Sequence, residues 1–98
     1  MALMEISVLP IGTKLPSIGD YIADLVRLLD EEGAIYELTD MGTVIEGEIE
    51  SLFELAAKLH ETPFKKGIMR VVTNIEIDDR RDKKVKLREK VASVRARL

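Results

Sequence analysis

The chain has no cysteine, no tryptophan, one histidine and only four aromatic residues among 98. Without cysteine there is no disulfide framework, no thiol nucleophile and no thiolate metal site. One histidine leaves too few imidazoles for a zinc centre. Ser7 and Ser17 have no histidine to activate them, so nucleophilic catalysis lacks its base. The lone His60 falls late in a helical stretch, where a cap or surface role is expected rather than catalysis. No glycine-rich phosphate loop of the Walker or Rossmann type occurs, and Asp78, Asp79 and Asp82 lack the spacing of a calcium loop. No apolar run approaches the roughly 18–20 residues of a membrane span. The first ten residues carry Glu5 and no Lys or Arg, and are apolar too briefly for a signal peptide. With no targeting segment, the expected compartment is the cytoplasm. The expectation is a protein that is not an enzyme and has no metal and no cofactor.

What is present describes an ordinary folded chain: 46% hydrophobic and 34% charged residues. The length predicts one domain over residues 1–98. So short a chain buries only roughly 60–65% of its unfolded surface, and self-association would add burial. The net charge of −3 conceals an asymmetry. Residues 1–77 hold six Lys/Arg against fourteen Asp/Glu, whereas residues 78–98 hold nine against four. A basic tail beside an acidic body is expected to lie against that body or a neighbouring subunit rather than on nucleic acid.

Periodicity divides the chain. Met4, Ile6 and Val8 alternate with Glu5, Ser7 and Leu9 in a first strand. Ser17 is a plausible N-cap for a helix bearing Ile18, Ile22, Leu25, Val26 and Leu29, and Gly33 suits its C-terminal turn. Ile35–Leu38 and Thr43–Ile49 read as strands joined by the hairpin Thr39–Gly42. The capping box Ser51-Leu52-Phe53-Glu54 opens a second helix, which Thr62-Pro63 ends. Gly67–Ile77 alternates over the longest predicted strand. After the turn Asp78–Asp82, Leu87, Val91, Val94 and Leu98 recur at helical spacing. The order βαββαβ plus a C-terminal helix predicts an α+β, ferredoxin-like sandwich. Its four-stranded antiparallel sheet has spatial order 4-1-3-2, with both crossover helices on one face. Ile6, Val8, Ile45, Ile49, Val71 and Ile75 are expected beneath those helices, and Gly47 there lets a helix approach closely.

The other face is then bare. It is expected to carry Glu5, Ser7 and Leu9, then Val44, Glu46 and Glu48, then Arg70, Val72, Asn74 and Glu76. A solvated face does not need Leu9, Val44 and Val72, and a packed dimer face rarely keeps so many ionisable groups. Two readings fit. One is a subunit interface whose charges pair, for example Glu46 with Arg70, in a structural or regulatory interaction protein. The other is a polar-lined ligand site covered by a neighbouring subunit. RNA-recognition modules of this fold stack bases on aromatics of the central strands, and the first and third strands here have none. Nor is there the anion-cradling arginine loop of acylphosphatases or the cysteine pair of metallochaperones.

Three stretches carry a resemblance: Ser7-Val8-Leu9-Pro10-Ile11-Gly12, Gly42-Thr43-Val44-Ile45-Glu46-Gly47-Glu48, and Arg70-Val71-Val72-Thr73-Asn74-Ile75-Glu76-Ile77-Asp78-Asp79-Arg80-Arg81-Asp82. Together they resemble the thiamine-binding protein family of small ferredoxin-like proteins, and the likeness runs on through Lys90–Val94. The resemblance implies dimers that assemble into tetramers, and binding of thiamine or its pyrimidine moiety without known catalysis. For that ligand, Glu46 is a candidate to offset the cationic thiazolium or to accept from the exocyclic amine. Ser7, Thr43 and Asn74 are candidate hydrogen-bonding groups, and Val44 and Leu9 candidate ring contacts. Arg70 either binds an anion or pairs with Glu46. Thr43 has the opposite parity to Glu46, so as a contact it implies a pocket reaching the helix side or a strand end.

Overall fold

The computed structural model describes residues 1–14 and 18–98. Its elements are β1 (Ala2–Ile11), α1 (Gly19–Glu31), β2 (Ile35–Leu38), β3 (Thr43–Gly47), α2 (Ile49–Glu61), a 3-10 turn (Thr62–Lys66), β4 (Arg70–Asp78) and α3 (Glu89–Arg95). The strands lie in the order β2-β3-β1-β4 and every pairing is antiparallel. This is the expected ferredoxin-like arrangement. The expected cap Ser17 lies outside the described residues.

One face of the sheet is the floor of the core. Ala2, Met4, Ile6, Val8 and Ile45 are buried there against Leu25 and Leu29 of α1 and Leu52, Ala56 and Leu59 of α2. The two-residue period of β1 meets the helical period of α1 and α2, so each element spends its apolar stripe on the same layer. α1 ends in a left-handed turn at Gly33, with φ 67°. There the Gly33 N–H donates to Asp30 O and the Ala34 N–H to Leu29 O, satisfying two terminal carbonyls.

Three boundaries differ from expectation. β3 stops at Gly47, and Ile49 belongs to α2 rather than to the strand. Glu48, extended at φ −68° and ψ 145°, is the N-cap, and Ser51 sits inside the first turn with no capping hydrogen bond. The close approach at Gly47 explains why the chain leaves the sheet there. A β-carbon on it would stand 3.3 Å from Leu52 Cδ2, so helix and strand meet on a residue without a side chain. The stretch 62–66 continues α2 as a 3-10 turn, and β4 starts only at Arg70.

The C-terminal stretch departs most. α3 has seven residues and buries none of them. Val91, Val94 and Leu98 are more than half exposed, while Val85, in the irregular approach to α3, is buried.

Candidate functional site

The register of the sheet fixes which side chains share the open face. Across it run Ile35, Glu46, Leu3 and Asp78 in one row, then Glu37, Val44, Glu5 and Glu76 in the next. On β1 and β4 the rows continue as Ser7 with Asn74, Leu9 with Val72, and Ile11 with Arg70.

The two ends of this face differ. At the Leu3 end, the C-terminal stretch lies over the sheet. The Leu87 N–H donates to Glu46 Oε1 at 2.8 Å, Arg88 Nε to Glu37 Oε2 at 3.1 Å, and Lys90 Nζ to Asp78 Oδ2 at 2.7 Å. The basic tail therefore lies against the acidic body, as its charge predicts. The Lys90 ammonium holds the Asp78 carboxyl below its usual value. In the turn before it, Arg80 pairs with Asp82, lowering that carboxyl to about 2, and Arg81 pairs with Asp79.

The middle of the face is left open. Ser7 is half-buried and directly opposite Asn74, and Leu9 (43% exposed) is opposite Val72 (37% exposed). Val44 lies beside Glu5, which faces Glu76. Two carboxylates directly opposite across strands repel one another. Neither has a hydrogen-bond or ion-pair partner among the described residues. The band thus offers a hydroxyl, an amide, an apolar patch and uncompensated negative charge within a few strand residues.

Sequence reasoning placed these residues unevenly. Ser7, Leu9, Val44 and Asn74 come together on the open band. Thr43 is 6% exposed on the helix side, opposite Ile6, which is the parity the sequence assigns it. Glu46 is on the open face but is occupied by Leu87. Arg70 is exposed at the far end. The suggested pairing of Glu46 with Arg70 does not form within the chain. They oppose Leu3 and Ile11 of β1, and eight residues of strand separate them by about 27 Å. Glu48 is not on the sheet at all, because α2 has begun. Glu5, Val72 and Glu76 also join the band, on the face where alternation places them, although they were not among the candidate ligand contacts.

His60 is neither a cap nor a free surface group. Its Nδ1 lies 2.7 Å from Thr73 Oγ1, linking α2 to β4, and its ring packs 5.5 Å from that of Phe64. No group of acidic or histidine residues among the described residues is arranged to hold a metal ion. No helix there is long and apolar enough to cross a membrane. A hollow of about 950 Å³ lies off the sheet's end, between Glu48–Ser51 and Asp79–Lys84, and shares no residue with the open band.

Fold and face together define an α+β sandwich with helices on one side and a partly strapped, partly open sheet on the other. The chain belongs to the thiamine-binding protein family, whose model matches residues 4–95. It is 49% identical to the UPF0045 protein YqgV of Bacillus subtilis, over all of this chain and 98% of that one. The solved structure of hypothetical protein MJ1052 from Methanocaldococcus jannaschii superposes with a TM-score of 0.85 at 27% identity, covering 95% of this chain and 94% of that one. A Thermotoga maritima protein, provisionally named for thiamine biosynthesis or salvage, shares the fold with a TM-score of 0.78 at 22% identity, covering 95% of this chain and 97% of that one.

Proposed function

We propose that the chain is a single cytoplasmic domain that binds thiamine or its pyrimidine moiety as a homo-oligomer and catalyses no reaction on it. The observation that carries this reading is the open band of the sheet. Ser7 and Asn74 stand ready to hydrogen-bond an aminopyrimidine. Leu9, Val72 and Val44 offer apolar contact to a ring. Glu5 and Glu76, lacking cations of their own, favour a positively charged thiazolium over a neutral or anionic ring. Glu46 recedes as a ligand contact, because the chain's own Leu87 occupies it. The family supports the ligand class. The absence of a catalyst rests on His60, the chain's one imidazole, being engaged by Thr73.

Isothermal titration with thiamine and with hydroxymethylpyrimidine tests the proposal. Saturable heat is expected for at least one. Ser7→Ala and Asn74→Ala are each expected to weaken it about 3- to 10-fold, the worth of one hydrogen bond. No heat and no thermal shift with either compound at millimolar concentration would remove the reading. The same face would then serve only as a subunit interface.

A further inference from the structure

The open band meets charge of opposite sign on its two sides. Glu5 and Glu76 stand one row from Ser7 and Asn74, and Arg70, opposite Ile11, stands two rows away in the other direction. Rows on one face are two residues apart, so these groups lie about 7 Å and about 13 Å along the strands from the Ser7–Asn74 row. Arg70 is the one Lys or Arg in the four strands. It is exposed and has no ion-pair partner among the described residues. The cations of the strap are spent elsewhere, Arg88 on Glu37 and Lys90 on Asp78. On the face between Asn74 and Arg70 lie Leu9 and Val72, both apolar and part-exposed. An uncompensated guanidinium at the end of an apolar step suits an anion, and its planar fork matches a phosphate.

We propose that the band also takes the phosphate monoester of the aminopyrimidine alcohol, with its phosphate on Arg70, and prefers that ester to the free alcohol. The inference rests on the pyrimidine reading above and adds an anionic class of ligand to it. The ring is the shared part. The Ser7 hydroxyl and the Asn74 amide each donate and accept, so they can hold the ring in either sense. The group carried on the ring's methylene then sets the direction. A thiazolium is cationic and is drawn toward Glu5 and Glu76. A phosphate is repelled by those carboxylates and drawn over Leu9 and Val72 toward Arg70. The guanidinium rides on a flexible hydrocarbon stem that covers part of that distance, and the methylene and phosphate cover the rest. Thiamine phosphate fits less well. Its cation and its anion leave the ring on the same side, whereas the face holds their counter-charges on opposite sides.

Isothermal titration with hydroxymethylpyrimidine, its phosphate, thiamine, thiamine phosphate and inorganic phosphate decides the matter. The pyrimidine phosphate is expected to bind about tenfold more tightly than the free alcohol, the worth of one charge-assisted contact. Arg70→Met keeps a side chain of similar reach and removes the fork, and is expected to bring that ratio back to about one or below. Circular dichroism checks that the variant is folded. A phosphate that binds no better than the alcohol overturns the inference, and so does a preference that survives in folded Arg70→Met. Inorganic phosphate binding as tightly as the ester overturns it too, because the ring then contributes nothing. Thiamine phosphate as the tighter ester overturns it as well, because both counter-charges would then lie on one side of the ring. In each of these outcomes the pyrimidine reading stands so long as thiamine or the alcohol still binds. Silence from all five compounds removes that reading and this inference with it.

Discussion

The two faces of the sheet are made by the same strands and have opposite fates. On β1, Met4, Ile6 and Val8 are no more than 6% exposed, whereas Leu9 on the other face is 43% exposed. Alternation supplies both faces at once, so the difference is made by what arrives to cover them. Two amphipathic helices cover one face with hydrocarbon. The other receives only the C-terminal stretch, in which Val85 is buried and which makes three polar contacts with the strands. A hydrocarbon layer contributes stability through area removed from water. A polar strap contributes far less net, because each contact replaces one with solvent.

The comparison is broken most directly in the core. Leu52→Ala removes a side chain that is 1% exposed and packs on Gly47. It is expected to cost about 2–5 kcal/mol in denaturant unfolding. Leu9→Ala on the open face is expected to cost under about 0.5 kcal/mol. Equal losses would mean that the open face is itself packed in solution, as a face-to-face contact between subunits would require.

A smaller effect is expected at Glu46. Its carboxylate accepts from the half-buried Leu87 N–H across 41 residues of chain. Glu46→Ala leaves that amide without its partner and is expected to cost about 1–2 kcal/mol. Hydrogen exchange should show amides around residues 85–90 losing protection while those of β1 keep theirs. Uniform loss across the sheet would show that the strap and the core unfold as one unit.

Much of this asymmetry was legible in the sequence. The period of β1, the glycine ending α1 and the βαββαβ order lead to the observed sheet order by sterics and handedness alone. The acidic body and basic tail likewise foretold that the two would meet. Alternation could not reveal where they meet. Glu46 and Asp78 are adjacent across Leu3 only because of the register of three strands, and register depends on tertiary pairing. The same limit put Glu46 beside Arg70, two ends of a face that a list of alternating residues cannot tell apart. Ser51 misled for a different reason. A good capping sequence was overridden by the need for the chain to leave the sheet at Gly47, so the helix begins three residues earlier, with Glu48 rather than Ser51 as its cap.

The smallest effect concerns the outermost contact of the strap. Lys90 and Asp78 are both substantially exposed, so solvent screens them and the pair adds little to global stability. Its signature is in titration instead. The hydrogen bond and charge of Lys90 lower the Asp78 pKa. A carboxylate depressed in the folded state stabilises it above the unfolded value of about 3.9, and that contribution fades as pH falls through the lower folded value. Lys90→Met should therefore bring the Asp78 midpoint, followed by carboxyl chemical shift, back up toward the ordinary range while Asp82, held by Arg80, stays near 2. In the parent the strap should loosen as pH falls through the lowered Asp78 value, with the Leu87 amide shifting before any resonance of β1 or α2, and Lys90→Met should remove that pH dependence. If Asp78 keeps its low midpoint in Lys90→Met, another cation holds it. That cation is then Arg80, whose charge also lowers the Asp78 pKa, and Arg80→Met would be the substitution that releases it.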